Sequence, residues 1–279
     1  MQPIKSPVLR YHGGKFRIAD WIQSFFPPHT IYVEPFGGAA SVLMTKKPSD
    51  REVYNDLDSE IVNVFEVLRN NPSELARLIN LTPYARDEWK QSYEKTDNKI
   101  ELARRTILRA YASFGSGGAT KGTSGFRCYS KPDSTFSPKE WNNYANKIEA
   151  FTDRLRSVII ENKNAINVIK DHDHEKTLFF IDPPYITETR TMTPGTKYYR
   201  HEMDNEAHQE LINTLLELKG AVVLSGYDHH IYDVLIDNGW EKHHKKSRAQ
   251  GHKGTTSRVE TVWLNPKCAN HQSQQQLFS

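Results

Sequence analysis

Residues 177–185 read Thr-Leu-Phe-Phe-Ile-Asp-Pro-Pro-Tyr. From Leu178 to Ile181 every position is apolar, as in a strand buried on both faces of its sheet. Such strands belong to parallel sheets covered by helices, so this stretch predicts an α/β protein. The run ends at Asp182, and the paired prolines Pro183 and Pro184 fix φ and stiffen the loop that follows.

Working outward, residues 31–36 (Ile-Tyr-Val-Glu-Pro-Phe) form a second strand that opens on Gly37-Gly38, and residues 221–225 form a third. Shorter candidates lie at 52–54, 157–160 and 260–264. Between them, residues 59–68 carry Ile61, Val64, Phe65 and Leu68 at helical spacing, ended by Asn70-Asn71-Pro72. Residues 205–219 carry Leu211, Ile212, Leu215, Leu216 and Leu218, with Gly220 expected as the C-cap. Alternating strands and helices imply an open, mostly parallel sheet that binds ligands beyond the carboxyl ends of its strands.

The rhythm breaks at residues 82–150. Polar helical segments there surround a loop rich in Gly, Ser, Thr and Lys between Gly115 and Gly125. The expected organisation is a discontinuous domain, 1–81 and 151–269, carrying an insertion at 82–150. The polar segment 270–279 is expected to be a disordered tail.

The chain has 279 residues, 37% hydrophobic and 25% charged, within the range of one large core or a core with a small inserted domain. No apolar stretch approaches a membrane span, and the first residues lack the apolar core of a secretory signal. Two cysteines, Cys128 and Cys268, make neither a disulfide framework nor zinc-ligand spacing. A reducing cytoplasm is expected. The net charge of +3 permits a nucleic-acid partner without requiring one.

The loop after the apolar run suits one chemical task. An exocyclic amine on a nucleobase presents two N–H donors, so a site that holds it needs two acceptors. An ionised Asp182 accepts, the Pro183 carbonyl accepts with no competing N–H, and Tyr185 offers a ring on which a base can stack. An Asp before prolines is also an ordinary turn starter, so other signals must agree with it. Glu34-Pro35-Phe36-Gly37-Gly38 sits at a strand-to-helix turn where glycines let a ligand approach the backbone. It is not the G-x-G-x-x-G of nicotinamide enzymes. Asp56, about 20 residues beyond Glu34, has the spacing of an acid that grips ribose hydroxyls. In Tyr11-His12-Gly13-Gly14-Lys15, Lys15 can pair with a ligand carboxylate and Tyr11 can cover an apolar or sulfonium part.

Taken in order, Tyr-x-Gly-Gly-Lys, Glu-Pro-Phe-Gly-Gly, Asn-Asp and Asp-Pro-Pro-Tyr resemble the Dam-type (D12) class of adenine-specific DNA methyltransferases over about residues 9–264. The resemblance implies a Rossmann-like class I methyltransferase sheet with an inserted, mainly helical target-recognition domain. It also implies S-adenosylmethionine as methyl donor, S-adenosylhomocysteine as product, and double-stranded DNA as partner. Tyr11 and Lys15 would contact the methionyl part, Phe36 and Gly37 would lie along the cofactor, and Asp56 would hold the ribose. Asp182, Pro183, Pro184 and Tyr185 would form the catalytic loop, with Asp182 bordering both cofactor and target amine. Residues 161 and 162 fall where such enzymes meet the cofactor's adenine, and neither is assigned a role.

A base inside a duplex is unreachable, so the target would flip out. Lys121, Arg127, Tyr199 and Arg200 are the expected DNA contacts, the first two on the insertion and the others after the catalytic loop. The insertion's loop departs from the shorter recognition hairpin of the best-known members, which puts a GATC target in doubt. Asp171-His172-Asp173-His174-Glu175 has metal-ligand residue types but reads as a solvated loop, and no metal is expected. The basic stretch Lys245-Lys246, Arg248 and Lys253 reads as a solvated loop beside the last strand. Further expectations are a bacterial or phage-encoded origin, a cognate restriction endonuclease as partner, no membrane, and a monomer or weak dimer. Cytosine N4 or RNA as substrate remain alternatives, as does a catalytically silent nucleic-acid-binding module of the same fold.

Overall fold

A computed structural model of the chain describes residues 3–120, 125–128, 137–190, 198–251 and 254–277. Seven strands form one sheet: β1 Ile31–Glu34, β2 Arg51–Asn55, β3 Val158–Glu161, β4 Thr177–Ile181, β5 Ala221–Gly226, β6 Glu241–Gly251 and β7 Gly254–Leu264. Their order is β3-β2-β1-β4-β5-β7-β6. The first five are parallel, whereas β7 runs antiparallel to β5 and to its hairpin partner β6.

Strand alternation divides the core between the two faces. Leu178, Phe180, Val223, Val262 and Leu264 pack on one side, and Phe179, Ile181, Val222, Leu224 and Trp263 on the other. The run Leu178–Ile181, apolar at every position, lies in β4, and all five residues of that strand, Thr177 included, are buried. Helix Ser59–Asn70 turns Ile61, Val64, Phe65 and Leu68 into the first core, and its N-cap Asp58 accepts the Glu60 N–H at 3.1 Å.

The segment 82–150 is helical, with helices Arg86–Gln91, Lys99–Ala112 and Ser137–Asn142 among its described residues. Its large apolar side chains, among them Trp89, Ile107, Tyr111, Trp141 and Tyr144, join the first core rather than forming one of their own. Trp141 donates to the Thr82 carbonyl (2.8 Å), and the Tyr144 hydroxyl donates to the Val8 carbonyl (3.0 Å). Arg104 and Arg109 are buried and paired internally, Arg104 with Glu101 and Glu88 and Arg109 with Glu60. Their sequence polarity marks buried ion pairs, not an exposed surface.

Three local expectations need correction. Residues 270–277, expected as part of a disordered tail, lie in helix Pro266–Leu277, and the last two residues of that expected tail lie outside the described residues. That helix is anchored by Asn265, whose Oδ1 accepts the Cys268 N–H (3.2 Å), and by burial of Cys268 and Ala269. Gly220 is not a helix C-cap: helix Asn205–Leu216 ends at Glu217, and the glycine serves close packing instead. A Cβ at 220 would lie 2.9 Å from both the Phe179 ring and the Thr177 carbonyl oxygen. Third, Lys245, Lys246 and Arg248 lie in strand β6, not in a loop, and Lys253 lies outside the described residues. Being an outermost strand, β6 tolerates exposed lysines that blunt edge-to-edge pairing.

Candidate active site

Strand order reverses between β1 and β4, which opens a crevice at their carboxyl ends. The Glu34-Pro35-Phe36-Gly37-Gly38 turn leaves β1 and the Asp182-Pro183-Pro184-Tyr185 loop leaves β4, so topology alone brings the two motifs together. They line a cavity of about 290 Å³ whose walls also include Tyr11, Lys15 and Asp56. Side chains are excluded from the turn: a Cβ on Gly37 would lie 2.2 Å from the Tyr54 ring. Gly38 has φ +48°, and Ala40 in the same turn is the one non-glycine residue with positive φ among those described.

The centre of the crevice is an ion pair. Lys15 Nζ lies 2.9 Å from Asp182 Oδ2, donates to the Gly13 carbonyl at 2.6 Å, and sits 4.7 Å above the Tyr185 ring. Burial works against the Lys15 charge, yet the carboxylates of Asp182 and Glu260 outweigh it and hold Lys15 above the usual lysine range. Burial pushes the Asp182 carboxyl above the usual aspartate range, opposed by Lys15. Asp182 Oδ1 is buried and has no hydrogen-bond partner among the described residues.

The carbonyls of the loop divide in the same way. Pro184 O accepts from His208 Nε2 at 3.0 Å, and Tyr185 O accepts from the Arg190 guanidinium. No bond to the Pro183 carbonyl occurs among the described residues. Because a carbonyl only accepts, His208 carries its proton on Nε2, and its Nδ1 accepts the Tyr232 hydroxyl (3.1 Å). Burial holds this imidazole down to about 4, so it stays neutral and the brace on Pro184 persists near neutrality. The loop therefore carries two acceptors with no hydrogen bond assigned among the described residues, Asp182 Oδ1 and the Pro183 carbonyl, with the Ser225 hydroxyl also close enough to the Asp182 carboxyl to lower its pKa.

Opposite the loop, Asp56 Oδ2 accepts the Gly38 N–H and Oδ1 the Asp58 N–H, both at 2.8 Å. Burial raises its carboxyl to about 6 despite those bonds. Asn162, left without a role in the sequence, donates to the Asp56 carbonyl at 2.7 Å and so helps fix that corner. Glu34, also on the cavity wall, accepts from the Tyr32 hydroxyl (2.6 Å) and the Leu43 N–H (2.7 Å), and burial pushes it up to about 8.

The expected cofactor residues Tyr11, Lys15, Phe36, Gly37, Asp56 and Asp182 all line one cavity, as do Pro183 and Pro184. Tyr185 lies beside Lys15 but not on the cavity wall. The expected DNA contacts are scattered. Tyr199 and Arg200 close one side of the same cavity, with the Tyr199 hydroxyl on the His12 carbonyl (3.2 Å) and Arg200 bridging Asp58 and Glu60. Arg127 is paired with Glu140 at 3.3 Å, and Lys121 lies outside the described residues. Sequence reading missed His208 and Glu260, whose partners Pro184 and Tyr185 are distant along the chain, and Arg190, which turns back onto the Tyr185 carbonyl five residues before it. No group of three or more potential metal ligands occurs among the described residues. Asp173, from the stretch rich in such residues, accepts the N–H groups of Lys219 and Gly220. None of the described helices is long and apolar enough to cross a membrane.

Residues 11–250 match a family model described as D12 class N6 adenine-specific DNA methyltransferase. The chain is 24% identical over 259 residues to modification methylase LlaI of Lactococcus lactis subsp. lactis, covering 82% of this chain and 40% of that protein. It is 33% identical over 66 residues to a DNA adenine methylase of Haemophilus influenzae, 23% of each chain. With the DNA adenine methylase of Escherichia coli K12 it shares 24% over 234 residues, 79% of this chain and 80% of that one. The chain thus spans well under two thirds of the first two of these relatives.

Proposed function

Since the chain belongs to the D12 class of N6 adenine-specific DNA methyltransferases, we propose that it methylates N6 of a flipped-out adenine in double-stranded DNA, with S-adenosylmethionine as donor. The observation that carries this reading is the pair of acceptors, Asp182 Oδ1 and the Pro183 carbonyl, at the edge of the cavity. An amine offers two N–H donors, and these two acceptors match them.

The cavity residues fit the donor. The turn at Gly37 and Gly38 forms part of the cavity wall, and Asp56 retains lone pairs for two hydroxyls. Lys15 keeps one N–H beyond those directed at Asp182 and Gly13 for a carboxylate, and Tyr11 and Phe36 supply apolar walls. When bound, S-adenosylmethionine supplies an electrophilic methyl group on a sulfonium.

Adenine N6 is a poor nucleophile because its lone pair is delocalised into the ring. Accepting both N–H bonds biases the nitrogen toward tetrahedral geometry and turns the lone pair outward. As the nitrogen becomes positive, the Asp182 carboxylate stabilises the developing charge. The methylated nitrogen is then acidic enough to lose a proton without a strong base. Holding the amine and the donor in register supplies much of the remaining rate.

In this reading residues 1–81 and 151–269 form the catalytic unit and 82–150 the target-recognition segment, with Lys121 and Arg127 toward DNA. Tyr199 and Arg200 flank the cofactor and the flipped base. The name of the Lactococcus relative, modification methylase, supports a cognate restriction endonuclease as partner.

The test is mass spectrometry of nucleosides from unmethylated DNA, and separately RNA, incubated with the protein and S-adenosylmethionine. N6-methyladenine in DNA is the expected product. N4-methylcytosine or methylated RNA would keep the mechanism and replace the substrate. No methylation with confirmed cofactor binding would leave a silent binding module.

A pH effect on cofactor binding follows from Asp56. Its carboxyl is raised to about 6, so it is an acceptor above that pH and increasingly protonated below it. The dissociation constant for S-adenosylmethionine, measured by calorimetry, is expected to rise as pH falls below about 6, approaching tenfold per pH unit. Asp56→Asn should bind more weakly and lose this pH dependence. The same dependence in both proteins would remove Asp56 from the ribose site.

A further inference from the structure

Beside the acceptor loop lies a carboxylate that the proposed chemistry does not use. Glu260 stands on β7 one residue beyond Thr261, which pairs with the last residue of β5, Gly226. Because β7 is antiparallel to β5, residue 260 overhangs the carboxyl end of the sheet, on the side where the Asp-Pro-Pro-Tyr loop emerges. Its Oε2 accepts the Tyr185 hydroxyl at 3.0 Å.

The direction of that bond is fixed by chemistry. A carboxylate only accepts, so the Tyr185 hydrogen points at Glu260, and the Ser225 hydroxyl, 3.1 Å away, donates to the Tyr185 oxygen. Burial, with the charges of Asp182 and Glu260, keeps the Tyr185 hydroxyl far above the usual tyrosine range, so the donor proton is always present. The ring below it is the one that Lys15 covers, and the Tyr227 ring meets it at 4.6 Å and 72°.

Ordinary strand pairing would give Glu260 a different partner. Lys245 is its direct cross-strand neighbour, and opposite charges there are mutually stabilising. Lys245 Nζ instead lies 5.6 Å over the Trp21 ring, and Glu260 turns to Tyr185. An acid whose nearest strand partner is a cation, yet which holds an aromatic hydroxyl beside the acceptor, has a use there other than closing the hairpin.

We infer that Glu260 is the positioning residue of the methyl-acceptor site: by accepting the Tyr185 hydroxyl it fixes the Tyr185 ring, and through it Lys15 and Asp182, in the register that receives the target base. This rests on the methyltransferase reading above and adds to it a contact from the C-terminal hairpin. Tyr185 has two rotatable side-chain torsions; Lys15 and Tyr227 contact its ring, and Glu260 together with Ser225 holds its hydroxyl.

The experiment compares Glu260→Ala, Glu260→Gln, Tyr185→Phe and the Glu260→Ala/Tyr185→Phe double variant. Cofactor affinity and melting temperature serve as the check on folding. Glu260→Ala is expected to lower kcat on DNA about 10²-fold, the cost of a small misplacement of reacting groups, with little change in KM for S-adenosylmethionine. Glu260→Gln keeps an acceptor oxygen and should recover at least tenfold of that loss. Tyr185→Phe should match Glu260→Ala, and the double variant should be no worse than either single one.

A second readout does not depend on activity. With 3-fluorotyrosine at position 185, the fluorine resonance of the cofactor-bound protein should shift or broaden in Glu260→Ala and return in Glu260→Gln. Parental kcat and an unchanged resonance in Glu260→Ala would overturn the inference. So would a Gln variant no better than Ala, or losses that add in the double variant. A parent that methylates no DNA would refute the activity reading, while the fluorine spectra would still decide the role of Glu260.

Discussion

Asp182→Ala is expected to reduce kcat for DNA methylation by at least ~10²–10⁴-fold, the range typical of a positioned catalytic group. The replacement removes the Oδ1 acceptor, which has no partner among the described residues, and the only negative charge in contact with Lys15 Nζ among them. The amine would keep one acceptor, the Pro183 carbonyl, and the charge developing on nitrogen would face a buried ammonium instead of an ion pair. Cofactor affinity should change far less than kcat, since Asp56 and the glycine turn hold the rest of the ligand in the proposed arrangement. Asp182→Asn separates the two contributions. It preserves one acceptor oxygen without the charge, so its kcat should fall between those of the parent and Asp182→Ala. Methyl incorporation at saturating cofactor and DNA measures all three, and an Ala variant within tenfold of the parent would remove Asp182 from the chemistry.

The second large effect is expected from Lys15→Met. Burial raises the Asp182 carboxyl, and Lys15 is the first of the groups opposing that rise. Without the ammonium the carboxyl moves up further, so at any given pH a smaller share of Asp182 offers a charged acceptor. Activity should therefore fall, and its rise with pH should be displaced to higher pH than in the parent, even at saturating cofactor. Stability should move the opposite way. A carboxyl whose folded pKa lies above its unfolded value favours the fold most in acid, where it is neutral, and loses that advantage as pH rises through the folded pKa. Leaving a buried charge unpaired costs about 3–5 kcal/mol, so the loss should show in melting curves on the alkaline side. Activity and stability of Lys15→Met should thus cross as pH is raised. Coincident pH profiles for variant and parent would show that Lys15 does not set the charge state of Asp182.

Features that depend on short stretches were legible in the sequence. The four-residue run Leu178–Ile181 was apolar at every position because both faces of β4 are covered, and the structure buries these residues and Thr177. The helix from Ser59 was readable from Ile61, Val64, Phe65 and Leu68, and its partners in the core are those residues. Strand β6 was not readable, because an outermost strand can be basic and polar along its length. The helix from Pro266 was missed because its polar composition resembles disorder, whereas it buries Cys268 and Ala269 and is capped by Asn265. The burial of Arg104 and Arg109 was not readable from the polar segment that holds them, because a sequence does not say which acids will meet them.

The sequence by itself determined which chemical groups each loop can offer: acceptors after β4, a glycine turn after β1, and an acid after β2. Side-chain chemistry, proline geometry and two-residue alternation act over a few bonds, so those assignments need no knowledge of the rest of the chain. Only the tertiary structure decided which groups meet. Lys15 reaches Asp182, His208 braces Pro184 and Glu260 holds Tyr185 because the strand order reverses between β1 and β4 and the β6–β7 hairpin overhangs the same end of the sheet. Such encounters depend on where the chain crosses over. Burial, which then shifts Asp56 and Asp182 upward, is a property of the packed molecule rather than of any segment.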